Sequence, residues 1–172
     1  MLQLISLLLV AYSYFLIRTN LPHLPPRIPT HFSVTGSADG WGTPRSLWVL
    51  LGAQILTSAV TLIVPYVGRR YPGAVHFGTT SLSDYSPAQR ARIVPLLKDM
   101  AGYMCMVMNL FFVWLLDQII RAASQPTPHI QMFGPLALLL GGTLGVLLYY
   151  LSKIRRVTGA PDERGTPHEL TP

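Results

Sequence analysis

Four long apolar runs constrain this chain more than any other feature. They cover about residues 1–18, 46–67, 100–120 and 132–151. A helix of roughly 20 apolar residues crosses the ~30 Å hydrocarbon core of a bilayer. No water is available there, so each backbone amide and carbonyl must find its partner within the segment, which leaves helices as the fold for runs of this length. The expected fold is therefore an all-α integral membrane protein: a single four-helix domain over residues 1–156. The composition agrees. Half of the 172 residues are hydrophobic, only 12% are charged, and the mean hydropathy is +0.39, where soluble domains carry about 25% charged residues.

The punctuation of the runs refines this picture. The first lacks the basic leader of a signal peptide, and Arg18–Pro22 makes a poor cleavage site, so it is expected to stay as a first helix. Trp48 and Tyr66 sit near opposite ends of the second, where amphipathic rings favour the headgroup level. Gln54 and Pro65 within it need neighbouring helices to satisfy them. Before the third run, Ser86-Pro87-Ala88-Gln89 reads as a capping box with proline at the first helical position. The pattern from there to Lys98 is amphipathic, so a short helix along the membrane surface is expected, with Pro95 bending its junction to the span. In the fourth run Gly141 and Gly145 form a G-x-x-x-G pair, a spacing that lets helix backbones approach closely and would serve a homo-oligomer. Residues 157–172 are polar and proline-containing, and are expected to be a disordered cytoplasmic tail.

The net charge of +6 does not indicate nucleic acid, because the basic residues flank apolar runs and no nucleic-acid-binding motif accompanies them. They report orientation instead. Arg69, Arg70, Arg90, Arg92 and Lys98 lie in the second connection, and Lys153, Arg155, Arg156 and Arg164 in the tail. The first connection has Arg18, Arg27 and Arg45, and the third has Arg121. Positive-inside bias then places both termini in the cytoplasm of a multi-pass protein of the inner membrane, with the first connection facing outward.

That first connection, Leu24–Arg45 (LPPRIPTHFSVTGSADGWGTPR), is too elaborate for a linker. Pro22, Pro25, Pro26 and Pro29 stiffen its first half into an extended path. Asp39-Gly40 favours a tight turn, and Gly36 and Gly42 can supply positive φ. Trp41 suits an interfacial anchor. His31 and Asp39, with His23 nearby, could orient one another, share a proton or contribute to a metal site, and Arg45 could pair with a carboxylate. Two ligands fall short of the three or four that zinc needs, so no metal or cofactor is assigned. The loop therefore reads as a rigid lid with a structural His–Asp hydrogen bond, or as a surface that recognises a peptide, a lipid or a partner protein.

The same stretch resembles the signature of a bacterial membrane family of unknown function that forms the N-terminal module of SdpI-type toxin-immunity proteins. The matching positions are Leu24-Pro25, Ile28-Pro29-Thr30-His31-Phe32, Gly36, Gly40-Trp41-Gly42 and Arg45. The resemblance covers about residues 10–67. It implies a non-catalytic immunity or signalling module. The chain departs from the family pattern before the third helix, where Tyr71–Phe77 and Leu82–Ser86 lack the expected asparagine. The larger immunity proteins also carry a C-terminal helical half not present in these 172 residues.

Within the spans, Asn109 and Asp117 share roughly one helix face, and polar groups in a span are functional candidates. Asp117 is one turn from Arg121, which favours a salt bridge over a pairing with Arg45 or His31. Met100, Met104 and Met108 share a face beside Cys105 and Met106. They suit adaptable packing better than soft-metal transport. The leading expectation is a non-catalytic envelope protein. A small transporter, a metal- or proton-handling enzyme, and an accessory subunit of a larger membrane complex are the alternatives.

Overall fold

The computed structural model describes residues 1–77 and 79–158. Four helices carry the chain back and forth: α1 (Leu2–Asn20), α2 (Ser46–Arg70), α3 (Pro87–Ala122) and α4 (Phe133–Thr158). All four are long and apolar enough to cross a membrane. Two small hairpins join them at opposite ends. Strands β1 (Ile28–Phe32) and β2 (Ala38–Gly42) lie between α1 and α2, and β3 (His76–Phe77) and β4 (Thr80–Ser81) lie between α2 and α3.

The organising element is α3. It packs against α1, α2 and β1, and it carries the main packing of α4. Its start is set by the Ser86 cap, whose Oγ accepts from the Gln89 amide at 3.2 Å while Gln89 Oε1 accepts from the Ser86 amide at 3.0 Å. The helix then runs unbroken through Pro95 to Ala122. The separate surface helix expected over residues 86–98 is thus the first part of α3. Ile93 and Leu97 explain the continuity, because both are buried against Leu82 and Ile154 and so hold the amphipathic stretch in line with the span. The fourth helix also exceeds its expected bounds and includes Val157 and Thr158. The rest of the expected tail, 159–172, lies outside the described residues.

Two apolar clusters mark the ends of the bundle. At one end Ile17, Leu47, Leu51, Leu116, Ile119 and Ile120 close around Ile28 of β1, which is fully buried. Burying such a side chain stabilises the docked hairpin by about 2 kcal/mol. At the other end Leu82, Ile93, Leu97 and Ile154 pack beneath the second connection. Between them the helices share a polar layer. Gln54 of α2, fully buried, donates through Nε2 to Asn109 Oδ1 at 2.8 Å. Asn109 Nδ2 lies 3.0 Å from Ser58 Oγ and 2.8 Å from the Cys105 carbonyl, both of which accept from it. The Gln54 Nε2 donor is thereby paired through α3, while its Oε1 is buried with no hydrogen-bond partner among the described residues.

Candidate functional site

The hairpin between α1 and α2 forms a cap over the helix ends. Its turn lies at Ser33–Ser37, where the Ser33 amide donates to the Ser37 carbonyl at 2.9 Å and the Gly36 amide to the Ser33 carbonyl at 2.9 Å. Gly36, with φ of 89°, is the one described residue in the left-handed region, where a side chain would be strained. The turn expected at Asp39-Gly40 from composition lies instead within β2. The physical reason is the position of the glycine that can turn: Gly42 does not adopt positive φ, and Gly36 does.

The other two glycines act through their missing side chains. A Cβ on Gly40 would stand 2.7 Å from the His31 Cβ, and one on Gly42 would stand 2.8 Å from the Thr30 Cγ2. They let β2 lie close on β1, in a register that sets His31 opposite Gly40 and Pro29 opposite Trp41. Alternation along β2 then turns Asp39 and Trp41 to the exposed face. Pairing is irregular on either side of His31, and its ring reaches Asp39 although its register partner is Gly40.

On that face His31 Nδ1 meets Asp39 Oδ1 at 2.5 Å. The His31 side chain is 74% exposed and that of Asp39 47%, so the contact ties two strands at the surface and leaves the imidazole accessible. A carboxylate on Nδ1 fixes the tautomer and orientation of a neutral ring and leaves Nε2 as acceptor. Trp41, 48% exposed, provides an apolar surface on the same strand face. The exposed surface of the hairpin thus carries an imidazole and a carboxylate in contact, and an aromatic ring two residues from that carboxylate on β2.

The cap has a further strand-like partner that sequence reasoning missed. In the connection between α3 and α4, the Pro128 carbonyl accepts from the Ala38 amide at 3.1 Å, and the Ile130 amide donates to the Gly36 carbonyl at 2.9 Å. Ser37 and His129 form an antiparallel bridge. A Cβ on Gly36 would lie 2.1 Å from the Ile130 carbonyl oxygen, so Gly36 serves the close approach as well as the turn. Ile130 is buried, although it lies in a connection. Its apolar character within Pro126–Gln131 was the available signal, since antiparallel spans bring both connections to the same end.

The remaining candidates separate. Arg45 is exposed at the cap position before α2 and makes no ion pair among the described residues, so the carboxylate partner expected for it is not found there. Asp117 Oδ2 accepts from Arg121 Nε at 2.8 Å within α3. The alternative pairing with Arg45 or His31 is not formed. Asn109 belongs to the buried layer with Gln54. Gly141 and Gly145 face open space, with nothing within 4 Å of the point a Cβ would occupy, whereas the neighbouring Gly142 packs on Val107. The glycine pair therefore does not contribute to packing within this chain. Among the described residues no three of His, Cys, Asp and Glu come together in a metal-binding group.

Residues 4–55 match the family described as a domain of unknown function (DUF1648). The match takes in most of α1, the whole β1–β2 hairpin and the first part of α2, and it stops short of α3. No curated protein and no solved structure matches the chain.

Proposed function

We propose that this membrane-spanning protein is a non-catalytic module of the bacterial inner membrane whose cap recognises a peptide at the outer surface. The carrying observation is the accessible His31–Asp39 pair on a hairpin that also exposes Trp41 and is fixed at both its base and its turn. A rigid frame lowers the ordering cost of binding, and an oriented imidazole, a carboxylate and an aromatic plane supply hydrogen-bonding, charged and apolar contacts for a peptide. The distribution of Lys and Arg supports the orientation, with the cap outward and both termini in the cytoplasm. The resemblance of Leu24–Arg45 to the immunity-protein module supports a role in immunity or signalling.

The test is survival of a sensitive host challenged with secreted peptide toxins. Wild-type chain is expected to protect, and His31→Ala and Asp39→Ala at matched membrane levels are expected to lose protection. Absence of protection by the wild type would remove the immunity reading. Undiminished protection by both variants would remove the cap from it.

The open face at Gly141 supports a homo-oligomer through α4 as part of this reading. A self-association that persists unchanged in Gly141→Leu would count against that contact.

A further inference from the structure

At the end of the bundle opposite the cap, α1, α3 and α4 enclose an open cleft of about 850 Å³. Part of its lining is apolar: Leu2, Val146 and the bare backbone of Gly145, which has open space where a Cβ would stand. Its mouth carries Lys98, Asp99 and Lys153 with Tyr103, Tyr149 and Tyr150. Lys153 Nζ lies 4.8 Å from the centre of the Tyr149 ring and 5.9 Å from that of Tyr150. The three charged residues are exposed, and neither lysine is ion-paired with Asp99 among the described residues.

Position and chemistry together identify an occupant. A groove open at membrane depth is filled by lipid, and an apolar slot against a glycine accepts an acyl chain. Tyrosines and snorkelling lysines at its mouth mark the headgroup level. Basic pockets between spans hold lipid phosphates. A headgroup with only negative charge would use the lysines and oppose Asp99. A zwitterionic headgroup with a primary amine uses all three: phosphate toward Lys98 and Lys153, and ammonium donating to the Asp99 carboxylate, a charge-assisted pair. We infer that this cleft is a binding site for a phospholipid with a phosphoethanolamine headgroup, taken from the leaflet at that end of the bundle.

Native mass spectrometry of the detergent-purified full chain tests this, with phosphatidylethanolamine, phosphatidylglycerol and phosphatidylcholine offered in equal amounts. The wild type is expected to retain phosphatidylethanolamine over the other two by about tenfold, the worth of one charge-assisted hydrogen bond. Asp99→Asn should abolish that preference while phosphatidylglycerol is still retained. Lys98→Ala with Lys153→Ala should reduce all phospholipid adducts, and Gly145→Leu should do the same by filling the slot without altering charge. Arg69→Ala, away from the cleft, serves as control. Equal retention of the three lipids by the wild type would overturn the inference, as would a preference for phosphatidylglycerol or a phosphatidylethanolamine preference that survives Asp99→Asn.

Discussion

The molecule holds two polar centres built on opposite terms. In the bundle interior, Gln54 and Asn109 are buried at 0% and 1% exposure and bond to one another across α2 and α3. At the cap, His31 and Asp39 bond across a hairpin with both side chains largely in solvent. The first pair is uncharged, as an interior within a membrane favours, because an unpaired charge there is costly. It serves packing and holds α2 and α3 in register. The second pair is ionisable and accessible, and its frame is held by other means: the burial of Ile28 and the backbone bonds from Gly36 and Ala38 to the Pro128–Ile130 segment. Polar side chains buried in the fold and polar side chains accessible at the surface thus occupy different parts of the chain.

The contrast breaks most visibly at the interior pair. Asn109→Leu leaves the Gln54 amide buried without its acceptor, and is expected to cost about 2 kcal/mol of stability. Adding Gln54→Leu should recover most of that loss, because two apolar partners leave nothing unsatisfied. Unfolding of the detergent-solubilised single and double variants checks both statements, and a double variant no better than Asn109→Leu alone would contradict the pairing.

A smaller and more local effect is expected at the junction of the cap. Gly36→Ala places a methyl group 2.1 Å from the Ile130 carbonyl oxygen, so the backbone there must shift, and does so at a φ that alanine rarely adopts, which alone adds about 1–2 kcal/mol of strain. The global unfolding transition should move little, while hydrogen exchange at the Ala38 and Ile130 amides should accelerate. Unchanged exchange would mean that the connection between α3 and α4 does not hold the hairpin. The smallest effect is expected at Asp117→Asn. Its partner Arg121 lies one turn away on the same helix and is largely exposed, and such pairs contribute little. Loss of biological activity in a well-folded Asp117→Asn variant would favour the transporter or enzyme alternative over the recognition reading.

The two centres were also unequally legible in the sequence. The spans were readable because bilayer thickness imposes a length and an apolar composition that no other fold demands. The His31–Asp39 contact was readable as a candidate because both residues sit in one short segment dense in proline and glycine. The hairpin register was not readable, since Gly36, Gly40 and Gly42 look alike in sequence and only contacts distinguish a turn glycine from one that admits a neighbouring strand. The continuity of α3 through Pro95 depended on Ile93 and Leu97 finding Leu82 and Ile154, which are distant in the chain. The docking of Ile130 beneath the cap and the pairing of Gln54 with Asn109 are likewise tertiary. Each polar residue could be flagged singly, but its partner lay on another helix. Gly141 and Gly145 carry a packing signal that this chain alone does not use.

The claim that the cap is the recognition surface is tested most directly by photocrosslinking in living cells, with a photoreactive amino acid placed at position 41 on the cap or at position 76 at the opposite end. A discrete adduct with the challenging peptide is expected from position 41, none from position 76, and loss of the first when His31→Ala is added. Adducts of equal yield from both positions, or an adduct from position 41 indifferent to His31, would contradict it.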